Sequence, residues 1–306
     1  MVGGMSPIYV PVMKGLNMNK IPKIMAINDM SGVGRCSLTV ITPIMSALGC
    51  QVCPLPTALL SNHSEYKEFY FFDFTNHMAE YFSYWEKNNA LFDCVYSGFI
   101  GSEEQINIIL NIINRVKKKN NEALILVDPV MGDHGFTYAT YNDEMIAKMS
   151  HLVKKADIIT PNLTEASILL GKEYSNEKVT IPQLKEYLKE LCSLGPKISL
   201  ITGVTTEDNQ HVNVCYNREE DKFWMAPFDY IDIRYPGTGD LFTSLLLGYY
   251  MKGKSLPEAM EEAARFVSLA VHATYEAKTL SSEGVIFEKI MKELYNEITE
   301  YKYTSI

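Results

Sequence analysis

Short apolar runs alternate with longer amphipathic segments along nearly the whole chain. Each apolar run is brief and almost entirely hydrophobic, which is typical of strands buried on both faces of a parallel sheet. The longer segments carry apolar residues at helical spacing, as in Ile106, Ile109, Leu110, Ile113 and Val116. The pattern predicts strands at Lys23–Ile27, Val52–Leu55, Cys94–Ser97, Ala123–Val127, Asp157–Thr160 and Ile198–Thr202.

Helix start and stop signals separate these strands. Capping-box patterns begin at Ser102, Thr180 and Ser255, and two of them place proline in the first turn. Gly49 and Gly171 stand where a helix commonly ends. Strand and helix alternate to the end of the chain, which predicts a doubly wound α/β sheet.

The alternation changes only near the end. Two strand-like runs between Val212 and Pro227 flank a polar segment and predict an antiparallel hairpin. The sequence shows no long linker, repeat or low-complexity tract. We therefore expect one domain over residues 20–306, preceded by an irregular N-terminal extension over residues 1–19.

Composition narrows the class of protein. The chain has 306 residues, 47% of them hydrophobic and 21% charged, which is typical of a soluble globular protein. A net charge of −9 disfavours broad nucleic-acid binding, which needs a basic face. No run approaches the roughly 20 apolar residues that span a bilayer, and no signal peptide is evident. We expect a cytoplasmic protein with neither nucleic acid nor membrane as partner.

Cysteine usage agrees with that compartment. Only Cys50 and Cys53 have C-x-x-C spacing, and the segment Gln51–Leu55 reads as a strand; positions i and i+3 of a strand point to opposite faces, so the two sulfurs would diverge. No second pair exists to complete a zinc site. Reduced, packed cysteines are the expectation.

The segment Tyr235–Phe242 carries the strongest chemical signal. Gly237 and Gly239 flank Thr238, Asp240 follows, and an apolar helical run begins. Converging backbone N–H groups and the positive end of a helix form an anion hole suited to a transferring phosphoryl group. Asp240 could accept a hydroxyl proton there, or it could merely cap the helix. These residues alone leave both roles open.

Two further strand ends carry polar groups at the edge where such sheets bind ligands. Asp128 is the first residue after the predicted strand Ala123–Val127, where its carboxylate could approach a metal–nucleotide complex. The alternative is a simple turn, because Asp-Pro often begins a loop. Asn162 could cap the next helix with Glu165 as the reciprocal member. Alternatively, Glu165 could contribute to Mg²⁺ binding through water.

The first loop, Asn28–Arg35, is rich in glycine but lacks the third glycine of a dinucleotide fingerprint, and the chain has no Walker-type phosphate loop. Thr57 and Ser61-Asn62-His63 add polar groups after the second strand. In combination, these segments resemble the ribokinase-like superfamily, and within it the pyridoxal kinases. The resemblance covers about residues 23–295, in the family's order, and includes Ser97-Gly98-Phe99-Ile100-Gly101-Ser102, Asp128–Gly132, Thr160–Glu165 and Gly237–Phe242.

The resemblance implies a three-layer α/β/α sandwich with a mostly parallel central sheet and no large inserted lid. It implies ATP-dependent phosphorylation of the 5′-hydroxymethyl group of pyridoxal, pyridoxine or pyridoxamine by a homodimer, with Mg²⁺ and, as an option, K⁺. Asp240 would be the base, and Gly237, Thr238 and Gly239 the anion hole. ATP, with Mg²⁺ at Asp128 and Glu165, would contact Asp128, Thr160, Asn162, Glu165, Thr202, Gly203, Thr238 and Gly239. The substrate would contact Asp29, Thr57, Phe99, Tyr138 as a lid, and Asp240.

Three positions depart from the family pattern. Asp29 stands where many pyridoxal kinases have serine, Phe99 where tyrosine often stacks, and Thr202 where some bacterial relatives have lysine. A carboxylate at position 29 could pair with an amine or a pyridinium N–H. We therefore hypothesise a preference for pyridoxamine or pyridoxine over the aldehyde.

Rival functions share the fold. A hydroxymethylpyrimidine kinase of thiamine synthesis has the same motifs, but that branch tends to have cysteine where this chain has Asp240. Sugar and nucleoside kinases usually insert a lid after the first strand, and the segment Asp29–Gly49 leaves no room for one. A non-catalytic ligand-binding protein is disfavoured because Asp240, Asp128 and Glu165 are all present.

Overall fold

The computed structural model describes residues 21–138, 140–174, 178–296 and 298–306. The N-terminal extension expected over residues 1–19 lies outside them. The strands are β1 (Lys23–Val33), β2 (Gln51–Asn62), β3 (Phe71–Asp73), β4 (Cys94–Ser97), β5 (Leu124–Val127), β6 (Gly132–Asp133), β7 (Phe136–Thr137), β8 (Ile158–Ile159), β9 (Ile198–Thr205), β10 (His211–Asn217), β11 (Lys222–Pro227) and β12 (Thr304–Ser305). The helices are α1 (Ser37–Ala47), α2 (Thr75–Lys87), α3 (Glu103–Lys119), α4 (Asp143–Val153), α5 (Leu163–Leu170), α6 (Ile181–Ser193), α7 (Thr238–Met251) and α8 (Leu256–Ala277).

A ten-stranded sheet in the order β12-β11-β10-β9-β8-β5-β4-β1-β2-β3 runs through the molecule. Its six central strands, from β9 to β2, pair in parallel. The predicted hairpin of β10 and β11 adds antiparallel strands at one end, and β3 adds one at the other. The mostly parallel sheet predicted from the apolar runs is confirmed.

Helices cover both faces of this sheet. Helices α2 to α6 pack on one face and α1, α7 and α8 on the other, each around its own apolar core. Neighbouring residues of a central strand belong to different cores, as Val95 and Tyr96 do, which is why these strands are largely apolar along their length. The three-layer α/β/α prediction is confirmed. Among the described residues, no helix is both long and apolar enough to cross a bilayer.

Strands β1 and β2 are longer than predicted. The pattern ended them at Ile27 and Leu55, but they continue to Val33 and Asn62. A register shift between Asn28 and Met30 marks where the pair leaves the central sheet. A Cβ at Gly32 would lie 2.9 Å from Ser61 O, so glycine there permits the close approach of the two strands. Much of the predicted glycine-rich loop is therefore strand.

The helix ends follow the sequence signals with one exception. Capping boxes form at Thr180 and Ser255 as predicted. Ser102 caps α3, but the Gln105 side chain accepts from the N–H of Gly101, not from that of Ser102. The predicted box at Ser102 is therefore wrong, because Gln105 is drawn instead into contacts with the neighbouring β2–α2 segment.

The two cysteines of the C-x-x-C pair lie on opposite sides of the sheet. Cys50 belongs to the core beneath α1, α7 and α8, whereas Cys53 packs against the other core. Both are free thiols. This geometry agrees with packed, reduced cysteines.

Candidate active site

Polar side chains from distant segments meet at the carboxyl ends of the central strands. Asn28 lies in β1, Asp128 and Thr160 follow β5 and β8, and Asp240 lies in the first turn of α7. The hydroxyl of Thr243, also on α7, lies 3.4 Å from Asp128 Oδ2 and 3.3 Å from Thr160 Oγ1. Helix α7 therefore closes the same sheet edge that the sequence predicted for ligand binding.

Asp240 is the third residue of α7, which begins after Gly237, so the helix-cap alternative is wrong. Its carboxylate accepts the main-chain N–H of Ser37 at 2.7 Å and the side-chain amide of Asn28 at 3.2 Å. Burial raises the pKa of Asp240 to about 6; the Ser37 N–H lowers it, and the charge of Asp29 adds to the rise. The Asp240 carboxylate is thus held in one orientation, and its pKa lies close enough to neutral pH for it to exchange a proton.

The glycine turn before Asp240 packs tightly on the segment before α1. Gly237 has φ +82°, and a Cβ there would lie 2.1 Å from Arg35 O, so a side chain is excluded. The Thr238 hydroxyl donates to Tyr235 O at 3.1 Å, at the start of the first turn of α7. The first N–H groups of a helix have no intrahelical acceptor and attract anions. This turn has the donors that an anion hole requires.

Ser37 connects Asp240 to Asp29. It adopts φ +50°, uncommon for a residue with a side chain, and this conformation aims its N–H at Asp240. Its hydroxyl donates to Asp29 Oδ1 at 2.5 Å, and Ser31 donates to Oδ2 at 3.1 Å. Asp29 is 7% exposed, and burial raises its pKa against the effect of both serines.

Sequence reasoning missed Asn28 and Ser37 as holders of Asp240. For Asn28 a signal existed, because it is a polar residue at the end of an apolar run, as Asp128 is. For Ser37 no signal existed, because its contribution is a backbone N–H in an unusual conformation.

Asp128 carries a buried carboxylate that interacts with a second one, that of Asp240. Burial, and then the charge of Asp240, raise its pKa to about 7, while Thr160 and Thr243 lower it. Among the described residues, no Lys or Arg forms an ion pair with Asp29, Asp128, Glu165 or Asp240. A site with this much uncompensated negative charge fits a cation bound together with an anionic ligand.

Within the described part of the chain, no group of three or more His, Cys, Asp or Glu side chains forms a metal cluster. Mg²⁺ does not need one, because it is usually held by one or two carboxylates, waters and substrate phosphates. The buried, unpaired carboxylate of Asp128 fits that mode.

Glu165 forms the capping box predicted for α5. Its Oε2 accepts the N–H of Asn162 at 2.9 Å, and the Asn162 side chain accepts the N–H of Glu165 at 2.9 Å. Glu165 Oε1 also accepts the N–H of Met131 at 3.1 Å. Burial and the charge of Asp128 raise the pKa of Glu165 well above its usual range. Glu165 thus ties the loop after β5 to the start of α5, and its role in Mg²⁺ binding stays a prediction.

Thr57 is fully buried, and its hydroxyl donates to Phe99 O at 3.1 Å. The Gln105 side chain donates to Thr57 O at 2.9 Å, and Asn28 Oδ1 accepts the N–H of Phe99 at 2.9 Å. Phe99 itself is partly exposed at this edge. Thr57 therefore holds the Phe99 loop, while its direct contact with a substrate ring remains a prediction.

Tyr138 follows the small hairpin of β6 and β7, and its N–H donates to Met131 O at 2.8 Å. Burial and the charge of Glu165 raise its pKa, whereas Arg234 lowers it. Arg234 also pairs with Asp133 of that hairpin, at 3.7 Å. Tyr138 is partly buried against the core beneath α2 to α6, and its role as a lid over the substrate stays a prediction.

Thr202 and Gly203 lie on β9, beside the loop after β8. The N–H of Thr202 donates to Pro161 O at 3.1 Å and brings Thr202 alongside Asn162. Gly203 has φ +68°, and its N–H donates to the side chain of Asn213 at 3.0 Å. Both residues border the same edge as Asp128, but farther along the sheet from Asp240.

Comparison with known proteins decides the family. Residues 75–284 match the family described as phosphomethylpyrimidine kinase. A pyridoxal kinase from Histophilus somni is 31% identical over 241 residues, which cover 76% of this chain and 82% of that protein. The chain belongs to the pyridoxal kinase family of the ribokinase-like superfamily.

Solved structures of this family share the fold. A protein from Bacteroides thetaiotaomicron, named as a phosphomethylpyrimidine kinase and crystallised with pyridoxal, is 42% identical with a TM-score of 0.89; the match covers 94% of this chain and all of that one (100%). Pyridoxal kinase from Lactobacillus plantarum is 26% identical with a TM-score of 0.80, over 90% of this chain and 98% of that one. The predicted fold class and family resemblance are both confirmed.

Proposed function

We propose that this chain transfers the γ-phosphoryl group of ATP to the 5′-hydroxymethyl group of a vitamin B6 vitamer. The observation that carries the proposal is the Asp240 carboxylate, held by Asn28 and Ser37 in the first turn of α7. Membership of the pyridoxal kinase family supports the reaction, and the pyridoxal bound to the Bacteroides relative supports the substrate class.

Asp240 acts as the general base in this proposal. With a pKa of about 6 it is mostly ionised at neutral pH, and it can take the proton of a substrate alcohol as that oxygen attacks phosphorus. The N–H groups of Thr238 and Gly239 in the first turn of α7, with the helix dipole, would stabilise charge on the transferring group. Positioning and electrostatics supply most of the acceleration in phosphoryl transfer.

The nucleotide lies along the rest of the edge, beside Asp128, Thr160, Asn162, Thr202 and Gly203. Asp128 would hold Mg²⁺, with Glu165 behind it as a water-mediated contact. The metal would neutralise phosphate charge there. A monovalent cation such as K⁺ remains an optional cofactor, which assays in K⁺ and in tetramethylammonium buffers would compare.

Hydroxymethylpyrimidine or its phosphate is the second candidate substrate, because the matching family is described by that activity. An ADP-release assay across pyridoxal, pyridoxamine, pyridoxine and hydroxymethylpyrimidine separates the two. The proposal expects turnover with at least one B6 vitamer at a higher kcat/KM than with the pyrimidine. The reverse order would assign the chain to thiamine synthesis. No ADP release with any of the four would favour a non-catalytic binding protein.

We also propose a cytoplasmic homodimer. The free, largely buried cysteines support a reducing compartment. Analytical ultracentrifugation of the purified protein would test the dimer, and a mass of 34.7 kDa in solution would contradict it.

A further inference from the structure

Hydrogen bonds connect both oxygens of the Asp240 carboxylate to Asp29. On one side, the Asn28 amide donates to Asp240 Oδ1 at 3.2 Å, and its carbonyl oxygen accepts the N–H of Asp29 at 2.9 Å. On the other side, the Ser37 N–H donates to Asp240 Oδ2 at 2.7 Å, and its hydroxyl donates to Asp29 Oδ1 at 2.5 Å. The four residues therefore form a closed ring of hydrogen bonds, in which Asp29 joins the two sides.

Ser37 has a backbone conformation that serine does not favour. It is the first residue of α1, yet its φ of +50° lies in the left-handed region, which residues with a side chain seldom occupy. A residue stays in that region only where its surroundings hold it there. Ser37 is buried, and the bond from its hydroxyl to Asp29 fixes its side chain. The direction of the Ser37 N–H thus depends on Asp29.

Asp29 is a firm anchor for this contact. Its carboxylate is buried, and Ser31 donates to its second oxygen at 3.1 Å. In the part of the chain that the structure describes, no Lys or Arg forms an ion pair with it. The two serine hydroxyls therefore compensate the buried charge, and breaking either bond would leave a buried carboxylate oxygen without that donor.

We propose that Asp29 is a positioning residue, whose carboxylate keeps the Ser37 N–H directed at Asp240. With Asn28 on the other oxygen, this contact prevents the Asp240 carboxylate from rotating. The role requires no contact between Asp29 and the vitamer. Its consequence for catalysis rests on the proposed function, in which Asp240 is the base.

Two substitutions at Ser37 separate the hydroxyl from the backbone conformation. Ser37→Ala removes the bond to Asp29 and keeps a side chain that disfavours a positive φ, so the N–H should turn away from Asp240. We expect kcat to fall roughly tenfold, the rate equivalent of one hydrogen bond to a charged group, with KM for ATP within about twofold. Ser37→Gly also removes the hydroxyl, but glycine adopts this φ readily, so kcat should stay within about threefold of wild type.

The pH profile is a readout that a loss of stability alone would not move. The Ser37 N–H lowers the pKa of Asp240. The acid limb of kcat/KM should therefore move to higher pH in Ser37→Ala and stay near that of wild type in Ser37→Gly. Both substitutions leave in place the other titratable groups that interact with Asp240 or Asp29, which are Asp128, Cys36, His63 and Tyr96.

Asp29→Ala, alone and combined with Ser37→Gly, tests whether Asp29 acts through Ser37. The single variant should lower kcat at saturating vitamer about as much as Ser37→Ala does. In the Ser37→Gly background the same substitution should lower kcat by less than about twofold, because glycine needs no anchor to keep its φ. An equal loss in both backgrounds would overturn the proposal.

Ser199→Ala is the matched control. Ser199 is a buried serine of β9, and its hydroxyl donates to Leu188 O at 2.9 Å. The control should lose thermal stability while kcat and the acid limb stay unchanged. A kcat in Ser37→Ala equal to that of wild type, or a loss in Ser37→Gly as large as in Ser37→Ala, would overturn the proposal.

Crystal structures of the two Ser37 variants without ligands give a measurement that does not depend on turnover. Ser37→Ala should show a negative φ at residue 37 and no hydrogen bond from its N–H to Asp240, whereas Ser37→Gly should keep both the positive φ and the bond. A Ser37→Ala structure that retains the bond to Asp240 would overturn the proposal. If the wild-type protein phosphorylates no vitamer, the proposed function fails, and these structures still decide whether Asp29 positions Asp240.

Discussion

The side-chain amide of Asn28 donates to Asp240 Oδ1 at 3.2 Å, while its carbonyl oxygen accepts the N–H groups of Asp29 and Phe99 at 2.9 Å. These two main-chain contacts determine which end of the amide faces Asp240. Gly98 completes the arrangement, because a Cβ there would lie 2.3 Å from the Asn28 amide nitrogen. The orientation of the Asp240 carboxylate is therefore built into the centre of the sheet.

Gly98→Ala should displace Asn28 and weaken its bond to Asp240. We expect kcat to fall roughly 10-fold, since a small misplacement of a catalytic group is costly, with KM for ATP little changed. Steady-state kinetics would measure it. Gly101→Ala is the matched control, because the nearest atom to a Cβ there is 3.7 Å away. Equal kinetics for the two variants would argue against positioning through Asn28.

Asp240→Asn should remove the base and keep the shape of the site. We expect kcat to fall by roughly 10²–10⁴-fold, the usual contribution of general base catalysis, with ATP affinity nearly intact. Single-turnover kinetics and calorimetric ATP binding would separate the two effects. A variant with near-normal kcat would exclude Asp240 as the base.

The raised pKa of Asp240 predicts an acid limb in the rate profile. The base must be ionised, so kcat/KM should decline as the pH falls through about 6 and be constant above it. Assays between about pH 5 and 8 would measure the limb, with circular dichroism at each pH to show that the fold persists. A kcat/KM that stayed constant down to about pH 5, as the ordinary aspartate pKa of 3.8 would give, would contradict the effect of burial.

The buried, ionised carboxylate of Asp128 should lower the free energy of unfolding at neutral pH. Its folded-state pKa is about 7 against an ordinary 3.8, so the folded protein binds the extra proton in that window and stability falls as pH rises through it. Asp128→Asn should therefore raise the free energy of unfolding at about pH 8 by on the order of 2 kcal/mol, while activity is lost. The gain should vanish near pH 4.

Thermal unfolding of wild type and Asp128→Asn at both pH values would check this. Asp208→Asn, at an exposed loop residue, serves as the control and should change the Tm little. A variant less stable than wild type at about pH 8 would show that the aspartate charge is compensated.

Asp29→Ser tests the vitamer preference hypothesised from the sequence. The carboxylate already accepts two serine hydroxyls, yet each oxygen can accept a further bond, for example from an amine or a pyridinium N–H. Wild type should favour pyridoxamine or pyridoxine over pyridoxal, and the variant should lose this preference by on the order of tenfold. Asp29→Asn, which keeps the shape, separates charge from packing. Unchanged kcat/KM ratios in both variants would reject the hypothesis.

Local patterns determined much of this protein. Runs such as Cys94–Ser97 are buried at every residue because both faces of the sheet are covered, and their largely apolar pattern predicted a doubly wound α/β sheet. The same patterns marked the strand ends, and therefore Asp128 and Asp240 as neighbours at one edge. The patterns predicted β1 and β2 too short, because these strands continue through glycine and proline. Pairing between the two strands sustains them there, and that pairing is not a local property of either segment.

Only the tertiary structure decided what each polar group does. Asp240 owes its orientation to Asn28 and Ser37, which are 212 and 203 residues away, and one of them acts through a backbone N–H. Asp128 reads as an ordinary Asp-Pro turn until α7 brings the Thr243 hydroxyl to 3.4 Å from its carboxylate. Hydrogen bonds depend on distance and direction between atoms, and those are set by register and packing across the sheet, which spacing along the chain does not encode.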